Sequence, residues 1–333
     1  MSGKRQKRSR KQECVNTGTT RRLPRGVRLV LGNLGVLLVL LLLIFSGGEV
    51  YYRFIFDSTD SFGLTRVCQR WFERHYRYNA MNVRDSVEYP VRRTPGRRRI
   101  SIIGDSFTAG HGIKNVDDRY ANLLRSGSDW EVHALAANGL DTGAEIQNFA
   151  GLVNGGYELD VVVLAYVLND ISDIVPEWQS ILARVYKDMG KESFPVRSSY
   201  FVNALYYRHR ASRDPDVANY YGFVKGAYAG PVWDRQKSRL QAFSDYCRAK
   251  QVKLLVVTFP FLHALDGAYE YGDVHDRLNA FWAGLGVPHL DLLETYQDHA
   301  AEELVVGKYD AHPNEKAHAM AVSPIMNFIE ANL

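Results

Sequence analysis

The sequence predicts an α/β fold in three layers, built on a parallel sheet of about five strands. From residue 99 onward, short apolar runs alternate with longer segments of helical periodicity, an order typical of parallel strands joined by right-handed crossovers. The runs are continuously apolar, as expected for strands that are covered on both faces. One membrane-spanning helix is predicted to precede this domain.

Residues 1–28 differ from the rest of the chain in charge. They contain ten Lys or Arg and one acid, Glu13, which leaves residues 29–333 at −5 in a chain whose total is +4. The basic charge therefore belongs to a tail, and nucleic-acid binding loses most of its support. We predict a basic cytoplasmic tail here and no nucleic-acid partner.

Residues 29–48 form an apolar segment of twenty residues. At about 1.5 Å per residue this length crosses a bilayer core of about 30 Å, and the basic residues before it place the N-terminus in the cytoplasm. A cleaved signal peptide is the alternative, but no Ala-x-Ala site follows, and the apolar run is longer than the apolar region of a typical signal peptide. We expect a single-pass membrane protein whose following domain is extracytoplasmic, periplasmic or at the cell surface.

Residues 49–98 are predicted to be an extracytoplasmic stem. The segment is rich in arginine and aromatic residues, and Val67–Tyr78 has the pattern of a short amphipathic helix. We expect the stem to pack on the surface of the domain at 99–333, with direct substrate contact as the alternative.

The elements of that domain follow from its apolar pattern. Asp117 and Asp141 are predicted helix N-caps, and Ser323-Pro324 is expected to break the last helix and start another. The predicted strands are 99–103, 131–135, 160–166, 252–258 and 288–291, and the predicted helices are 117–126, 142–153, 234–250, 274–284 and 314–331.

An aromatic insertion at about 172–233 interrupts the alternation between the third and fourth strands. A long segment at this place lies at the rim of a ligand site in such folds. Its rings either build a small core of their own or stack against sugar rings. We expect packing to be their main role, and the two roles are compatible.

Ser106 is the strongest candidate for a nucleophile. It lies in Gly104-Asp105-Ser106, directly after the first predicted strand, and Asp310-Ala311-His312 follows near the C-terminus. A serine needs an imidazole to take its proton and a third group to orient that imidazole. In a loop, the spacing of two residues lets the Asp310 carboxylate reach the Nδ1 atom of His312.

Two further residues follow the second and third predicted strands. Gly139 lies after the second and Asn169 after the third. Parallel strands present their carboxyl ends at one edge of the sheet, where ligands bind. The N–H groups of Ser106 and Gly139 and the amide of Asn169 are therefore predicted to form an oxyanion hole.

This ordered set resembles the SGNH, or GDSL-type, hydrolase family over roughly residues 79–333. The resemblance implies a flavodoxin-like sheet and the family's four motif residues at Ser106, Gly139, Asn169 and His312. The chain departs from the family pattern in two places: Asp310 stands two residues before His312, where three is common, and Val167 replaces a frequent glycine.

The resemblance implies a catalytic domain over 99–333 that hydrolyses esters without a cofactor or metal. Its substrate class would be an acylated small molecule or glycan, such as an O-acetylated cell-surface polysaccharide. An O-acyltransferase that uses the same site is the runner-up. A non-catalytic envelope scaffold is the third possibility, and the intact serine, aspartate and histidine argue against it. The oligomeric state is left open.

Other histidines and the cysteines carry weaker signals. His111 is the rival base, but no carboxylate stands near it in the sequence. His312 and His318 lack a third ligand for a metal site, and His318 is expected to pack within the last helix. Cys68 and Cys247 are predicted to lie outside the cytoplasm, where a disulfide is permitted, although such distant cysteines are more often unpaired.

Overall fold

The computed structural model describes residues 24–187 and 189–333 and contains a five-stranded parallel sheet. The order of the strands is β2-β1-β3-β4-β5, and all neighbours pair in parallel. The predicted fold class is confirmed, and the predicted strands match to within one residue at each end. The strands are β1 (Arg99–Gly104), β2 (Glu131–Ala136), β3 (Val161–Val167), β4 (Lys253–Phe259) and β5 (His289–Asp291).

Helices follow most of the strands, and several shorter ones lie in the stem and in the insertion. They are α1 (Arg25–Val50), α2 (Arg66–His75), α3 (Ser106–Ala109), α4 (Tyr120–Gly127), α5 (Thr142–Asn154), α6 (Pro176–Tyr186), α7 (Phe194–Ser198), α8 (Tyr200–Arg213), α9 (Pro215–Ala218), α10 (Tyr220–Ala227), α11 (Gly230–Ala249), α12 (Gly272–Leu285), α13 (Leu293–Tyr296), α14 (Ala301–Leu304) and α15 (Glu315–Ala331).

Two layers of helices cover the sheet. Strand β2 is added on one side of β1, and β3 is added on the other side. The two connections therefore cross the sheet in opposite directions, and right-handed crossovers place α4 and α5 on opposite faces. Helix α15 packs against α4, and α11 packs against α5. Every residue of β1 and β3 is buried, which explains why β3 is continuously apolar and why β1 is apolar apart from Arg99 and Ser101.

The point at which the strand order reverses lies between β1 and β3. In open parallel sheets, ligands bind outside the carboxyl ends of the strands at such a reversal. Ser106 follows β1 and Asn169 follows β3, so the sheet topology alone brings both residues to one crevice.

A second, two-stranded antiparallel sheet carries the C-terminal motif. It consists of β6 (Val305–Gly307) and β7 (Asp310–Pro313). The prediction of a loop at Asp310 and His312 was therefore wrong, because both residues lie in a strand. Side chains two residues apart project from the same face of a strand, so β7 presents Asp310 and His312 side by side.

Two local predictions about helix ends were wrong. Asp117 lies inside a 3₁₀ turn, Val116–Asp118, whose cap is Asn115, and α4 begins only at Tyr120. Pro324 does not break the last helix, because α15 runs through it. The buried face of α15, which includes Ile325 and Ile329, outweighs the backbone hydrogen bond that proline cannot donate. Asp141 caps α5 as predicted, accepting from the N–H of Ala144 at 3.1 Å.

The chain divides into two compact units, residues up to Gly48 and Glu49–Leu333. The described part of the first unit is helical and exposes its apolar side chains. By length and composition alone, the helical stretch Arg25–Ile55 could cross a membrane, and the apolar helix of a signal sequence would have the same properties. Most of the predicted basic tail, including Cys14, lies outside the described residues.

Cys68 and Cys247 are both free and buried, so they do not form the disulfide that their predicted compartment permits. Burial raises the pKa of both thiols, that of Cys247 to about 12. A buried thiol of raised pKa is a weak nucleophile. Neither cysteine is therefore a reactive group at neutral pH.

The rings of the aromatic insertion range from buried to exposed. Four are buried in the main hydrophobic core: Trp178, Tyr207, Tyr228 and Trp233. Three are exposed, namely Tyr186, Phe194 and Tyr206, and the other five are half-buried. Packing therefore accounts for most of these rings, whereas the exposed rings are available to a ligand.

Gly104 at the end of β1 is predicted to be intolerant of a side chain. A Cβ atom there would lie 2.9 Å from Cβ of Thr108 and 3.2 Å from the carbonyl oxygen of Ala165. We expect Gly104→Ala to lower the free energy of unfolding by about 1–3 kcal/mol, measured by chemical denaturation. The control is Gly284→Ala in α12, where a Cβ atom meets nothing within 4 Å, and stability should be unchanged or higher. Equal stability of the two variants would contradict the steric account.

Candidate active site

Ser106 lies in a tight turn between β1 and the four-residue helix α3. Asp105 caps α3, and its Oδ1 atom accepts from the N–H of Phe107 at 2.9 Å. Gly110 ends the helix with a φ of +74°, a left-handed conformation that favours glycine. The Ser106 N–H is the first amide of α3 and has no intrahelical acceptor. The turn therefore fixes the hydroxyl and leaves an N–H group beside it.

Three side chains form one hydrogen-bonded chain at this turn. The Nε2 atom of His312 lies 2.8 Å from Oγ of Ser106, and its Nδ1 atom lies 2.5 Å from Oδ1 of Asp310. The backbone N–H of His312 also donates to Oδ1 of Asp310, at 3.1 Å. With Nδ1 protonated, Nε2 is free to accept the serine proton, which is the arrangement of a nucleophile, a base and an orienting acid.

The charges around these three side chains make the imidazole of His312 more basic. Burial disfavours charge on His312, but the adjacent Asp310 carboxylate outweighs it and raises the pKa of His312 above its usual value. Burial likewise disfavours charge on Asp310, yet the nearby imidazoles of His312 and His111 hold the pKa of Asp310 well below its usual value. Asp310 therefore stays ionised, and His312 is a stronger base than a free histidine.

Asn169 reaches the serine turn, whereas Gly139 lies in a separate turn. The Nδ2 atom of Asn169 donates to Oδ2 of Asp105 at 3.4 Å. Gly139 occupies the turn from Ala137 to Leu140 with a φ of +75°, a conformation that glycine adopts readily. Among the described residues, the contacts connect this turn to the triad through Asn138, which hydrogen-bonds to His111.

Asp170 braces the turn that carries Asn169. Its Oδ2 atom accepts from the N–H of Val167 at 2.8 Å, which closes the first turn after β3. Burial and the nearby Glu145 carboxylate raise the pKa of Asp170 well above its usual value. The turn therefore holds its shape with Val167 at a position where SGNH hydrolases often have glycine.

His111 does contact a carboxylate, contrary to the expectation from the sequence. Its Nε2 atom lies 3.2 Å from Oδ2 of Asp310, a residue far away in the sequence. Its ring stacks on that of His312 with the centroids 4.0 Å apart. The base that contacts Ser106 is nevertheless His312. No local pattern could reveal this contact, because the β6–β7 hairpin brings the two residues together only in the fold.

The stem takes part in the site, which sequence reasoning missed. The Thr59 hydroxyl donates to Oδ2 of Asp310, and the Ser61 hydroxyl accepts from the N–H of Ala311 at 3.1 Å. The N–H of Ser61 also donates to the carbonyl of Tyr309 at 3.1 Å. The stem thus packs along β7 and holds the acid of the triad, which is more than the surface packing that we expected.

One group of side chains in the described residues has the proximity needed to hold a metal ion. His111, Asp310 and His312 offer ligand atoms that all lie within 4.8 Å of one another. Both oxygens of Asp310 and both ring nitrogens of His312 already take part in the hydrogen bonds given above. These ligand atoms are therefore engaged with one another and with Ser106 and Thr59. His318 lies elsewhere, buried in α15, where its Nδ1 accepts from the N–H of Tyr120.

No protein-family model and no curated protein matches the chain. Among solved structures, it is similar to TesA, with 13% identity, a TM-score of 0.45 and coverage of 71% of this chain and 100% of TesA. It is also similar to the psychrotrophic esterase EstA from Pseudoalteromonas sp., with 14% identity, a TM-score of 0.41 and coverage of 70% and 97%.

A third similar structure is a carbohydrate esterase family 2 enzyme with a carbohydrate-binding domain, from Corynascus thermopiles (Myceliophthora fergusii). The identity is 16%, the TM-score is 0.41, and the match covers 73% of this chain and 68% of that one. At these identities and TM-scores, the similarity carries no information on substrate.

The contact between Thr59 and Asp310 predicts that the stem controls the reactivity of Ser106. Thr59→Val keeps the shape of the side chain but removes the hydroxyl donor, and a buried hydrogen bond to a charged group contributes about 1.5–3 kcal/mol. We expect the rate at which a fluorophosphonate reagent labels the protein to fall by about tenfold or more. Thr59→Ser is the control and should retain most of the rate. If valine and serine variants react alike, the stem does not support Asp310 through this hydroxyl.

Proposed function

We propose that this protein is a membrane-anchored, extracytoplasmic serine ester hydrolase that removes O-acyl groups, with O-acetyl on carbohydrate as the substrate class. One observation carries the proposal: Oγ of Ser106, the imidazole of His312 and the carboxylate of Asp310 form a continuous hydrogen-bonded chain. These three side chains lie at the carboxyl edge of the parallel sheet, where such folds bind ligands.

In the first half-reaction, Oγ of Ser106 attacks the acyl carbonyl carbon while Nε2 of His312 takes the hydroxyl proton. A new C–O bond forms, and the carbonyl π electrons move onto the oxygen. Asp310 stabilises the resulting imidazolium without accepting its proton. Collapse of the intermediate breaks the ester bond, and His312 returns the proton to the departing alcohol.

In the second half-reaction, water replaces the alcohol. His312 accepts a proton from the water while the water oxygen attacks the acyl carbon on Ser106. Collapse of this intermediate breaks the bond between the acyl carbon and Oγ, releases the carboxylic acid, and returns the proton from His312 to Oγ of Ser106. The oxyanion in both steps would be held by the N–H groups of Ser106 and Gly139 and by the amide of Asn169. Support for Asn169 comes from its amide, which already points at Asp105 beside the nucleophile.

Exposed tyrosines near the acid of the triad support a carbohydrate substrate. Tyr309 directly precedes Asp310 and is 46% exposed, and Tyr186 of the insertion is 40% exposed. The Tyr186 hydroxyl donates to the carbonyl of Phe62 at 2.9 Å, which holds this ring against the stem next to Ser61. The guanidinium of Arg208 lies over the Tyr309 ring, 4.0 Å from its centroid, so Tyr186 is the better of the two rings to stack against a sugar.

Helix α1 supports the membrane part of the proposal. Its apolar residues are exposed along the helix, and the Lys and Arg residues that precede it in the sequence favour a cytoplasmic N-terminus. The catalytic unit would then act on acylated material outside the cytoplasm.

Ser106 and His312 are predicted to act as one unit. Ser106→Ala and His312→Ala should each lower kcat for an aryl acetate by about 10⁴-fold or more, and the double variant should lose little beyond that. Ser126→Ala and His275→Gln are matched controls, since Ser126 is exposed and His275 is in a different His–Asp pair, 2.8 Å from Asp291. Full activity in folded Ser106→Ala protein would overturn the proposed mechanism.

The pH dependence of the same reaction follows from the raised pKa of His312. Only neutral His312 can accept the serine proton, so kcat/KM should rise with pH through a pKa above about 6.5, the ordinary value for histidine.

An assay that includes an O-acetylated or a free glycan, with the products identified by mass spectrometry, separates hydrolysis from acyl transfer. Acyl groups that appear on a sugar hydroxyl rather than in water would favour a transferase.

The orientation in the membrane is predicted to be N-in and C-out. A reporter enzyme that is active only outside the cytoplasm should be active when it is fused after Leu333, because the basic residues precede the apolar helix. A cytoplasmic reporter at the same place is the control and should be inactive. The reverse pair of results would contradict an extracytoplasmic catalytic unit.

A further inference from the structure

His111 is a buried histidine for which the proposed mechanism has no role. It directly follows Gly110, and its backbone N–H donates to the carbonyl of Ser106 at 2.9 Å, so it belongs to the nucleophile turn. The residue is 4% exposed. Its Nε2 atom lies 3.2 Å from Oδ2 of Asp310 and 3.2 Å from the carbonyl oxygen of Asp60.

The neighbours of His111 fix its tautomer. Both groups near Nε2 are acceptors, so Nε2 must carry a proton to bond with either of them. The other ring nitrogen, Nδ1, lies 3.3 Å from the amide nitrogen of Asn138. The orientation of that amide is supported by the Tyr76 hydroxyl, which donates to its oxygen at 3.5 Å. An amide N–H needs an acceptor, so Nδ1 must be unprotonated and the ring neutral.

Charge in the site also favours a neutral His111. Burial, followed by the charge of His312, lowers the pKa of His111 in spite of Asp310 and Asp60. The rings of Trp71 and Phe72 cover His111 with centroids 6.4 and 5.3 Å away, and they bring no charge. On the side of His312, the charged groups are Asp310, Asp105 and Asp60. Of the two stacked imidazoles, only His312 has the environment to hold a proton as a cation.

We infer that His111 is a positioning residue of the proposed hydrolase, which as a neutral Nε2–H donor holds Oδ2 of Asp310 and supports the ring of His312. The inference rests on the proposed function. Oδ1 of Asp310 accepts from His312, and Oδ2 accepts from Thr59 and lies 3.2 Å from Nε2 of His111. His111 also connects the acid to Asn138, the neighbour of the proposed oxyanion residue Gly139. The neutral ring of His111 thus connects the acid of the triad to the turn that carries Gly139.

The test uses the full-length chain in detergent and two substitutions of His111. His111→Phe keeps a flat, stacked ring but removes the donor, whereas His111→Gln keeps an amide donor near the position of Nε2. We expect His111→Phe to lower kcat for an aryl acetate by about 10–100-fold, as expected for a lost buried bond to a charged acceptor, with KM unchanged. His111→Gln should regain most of that loss.

The pH profile separates positioning from simple packing. Without the His111 donor, the charge of Asp310 acts more strongly on His312, so the acid limb of kcat/KM should move to higher pH in His111→Phe and stay in place in His111→Gln. If both variants match the wild type, or both lose activity equally with an unmoved acid limb, the inference is wrong. Fluorophosphonate labelling of wild-type Ser106 is a separate readout, and its absence would instead overturn the proposed function.

A second measurement does not depend on how the phenylalanine variant folds. In a ¹⁵N-histidine spectrum of the full-length wild type, with the His111 resonances assigned through His111→Gln, His111 should be the neutral Nε2–H tautomer at pH 7. It should stay neutral below about pH 6.5, where an ordinary histidine is protonated. A cationic His111 at pH 7, or the Nδ1–H tautomer, would overturn the inference.

Discussion

The site depends on one buried carboxylate. Asp310 is 2% exposed, and burying an unpaired carboxylate is costly unless donors surround it. The groups that face it come from three separate parts of the chain: Thr59 in the stem and His312 on β7 donate hydrogen bonds to it, and Nε2 of His111 in the nucleophile turn lies 3.2 Å away. Because each part satisfies the same charge, the carboxylate joins the stem, the turn and the hairpin into one arrangement.

The sheet supplies the other half of the site. Its strand order places the ends of β1 and β3 side by side, and it thereby brings together Ser106 and Asn169, which lie more than sixty residues apart. Gly104 lets the chain turn closely against Thr108 at the end of β1. The parallel sheet therefore positions the nucleophile, whereas the small hairpin and the stem position the base and its acid.

The sequence was sufficient for the sheet because its central strands β1 and β3 are buried on both faces and all but one of the strands are mostly apolar. The serine and histidine motifs were recognisable because each combines several residue types within a few positions. The contacts of Thr59 and His111 with Asp310 could not be predicted, since they join residues about 200 or more positions apart through a polar packing that leaves no periodic pattern. Pro324 shows a further limit, because the tertiary packing of α15 overrides a local signal for a helix break.

The central claim is that Ser106 carries the acyl group during turnover. The most direct measurement is peptide mapping by mass spectrometry after the full-length protein is mixed briefly with an aryl acetate and quenched in acid. The account predicts one added acetyl group on the peptide that contains Ser106, which forms within the first turnover and disappears as the substrate is exhausted. An acetyl group on another residue, or ester hydrolysis with no acyl-protein at any time, would contradict it.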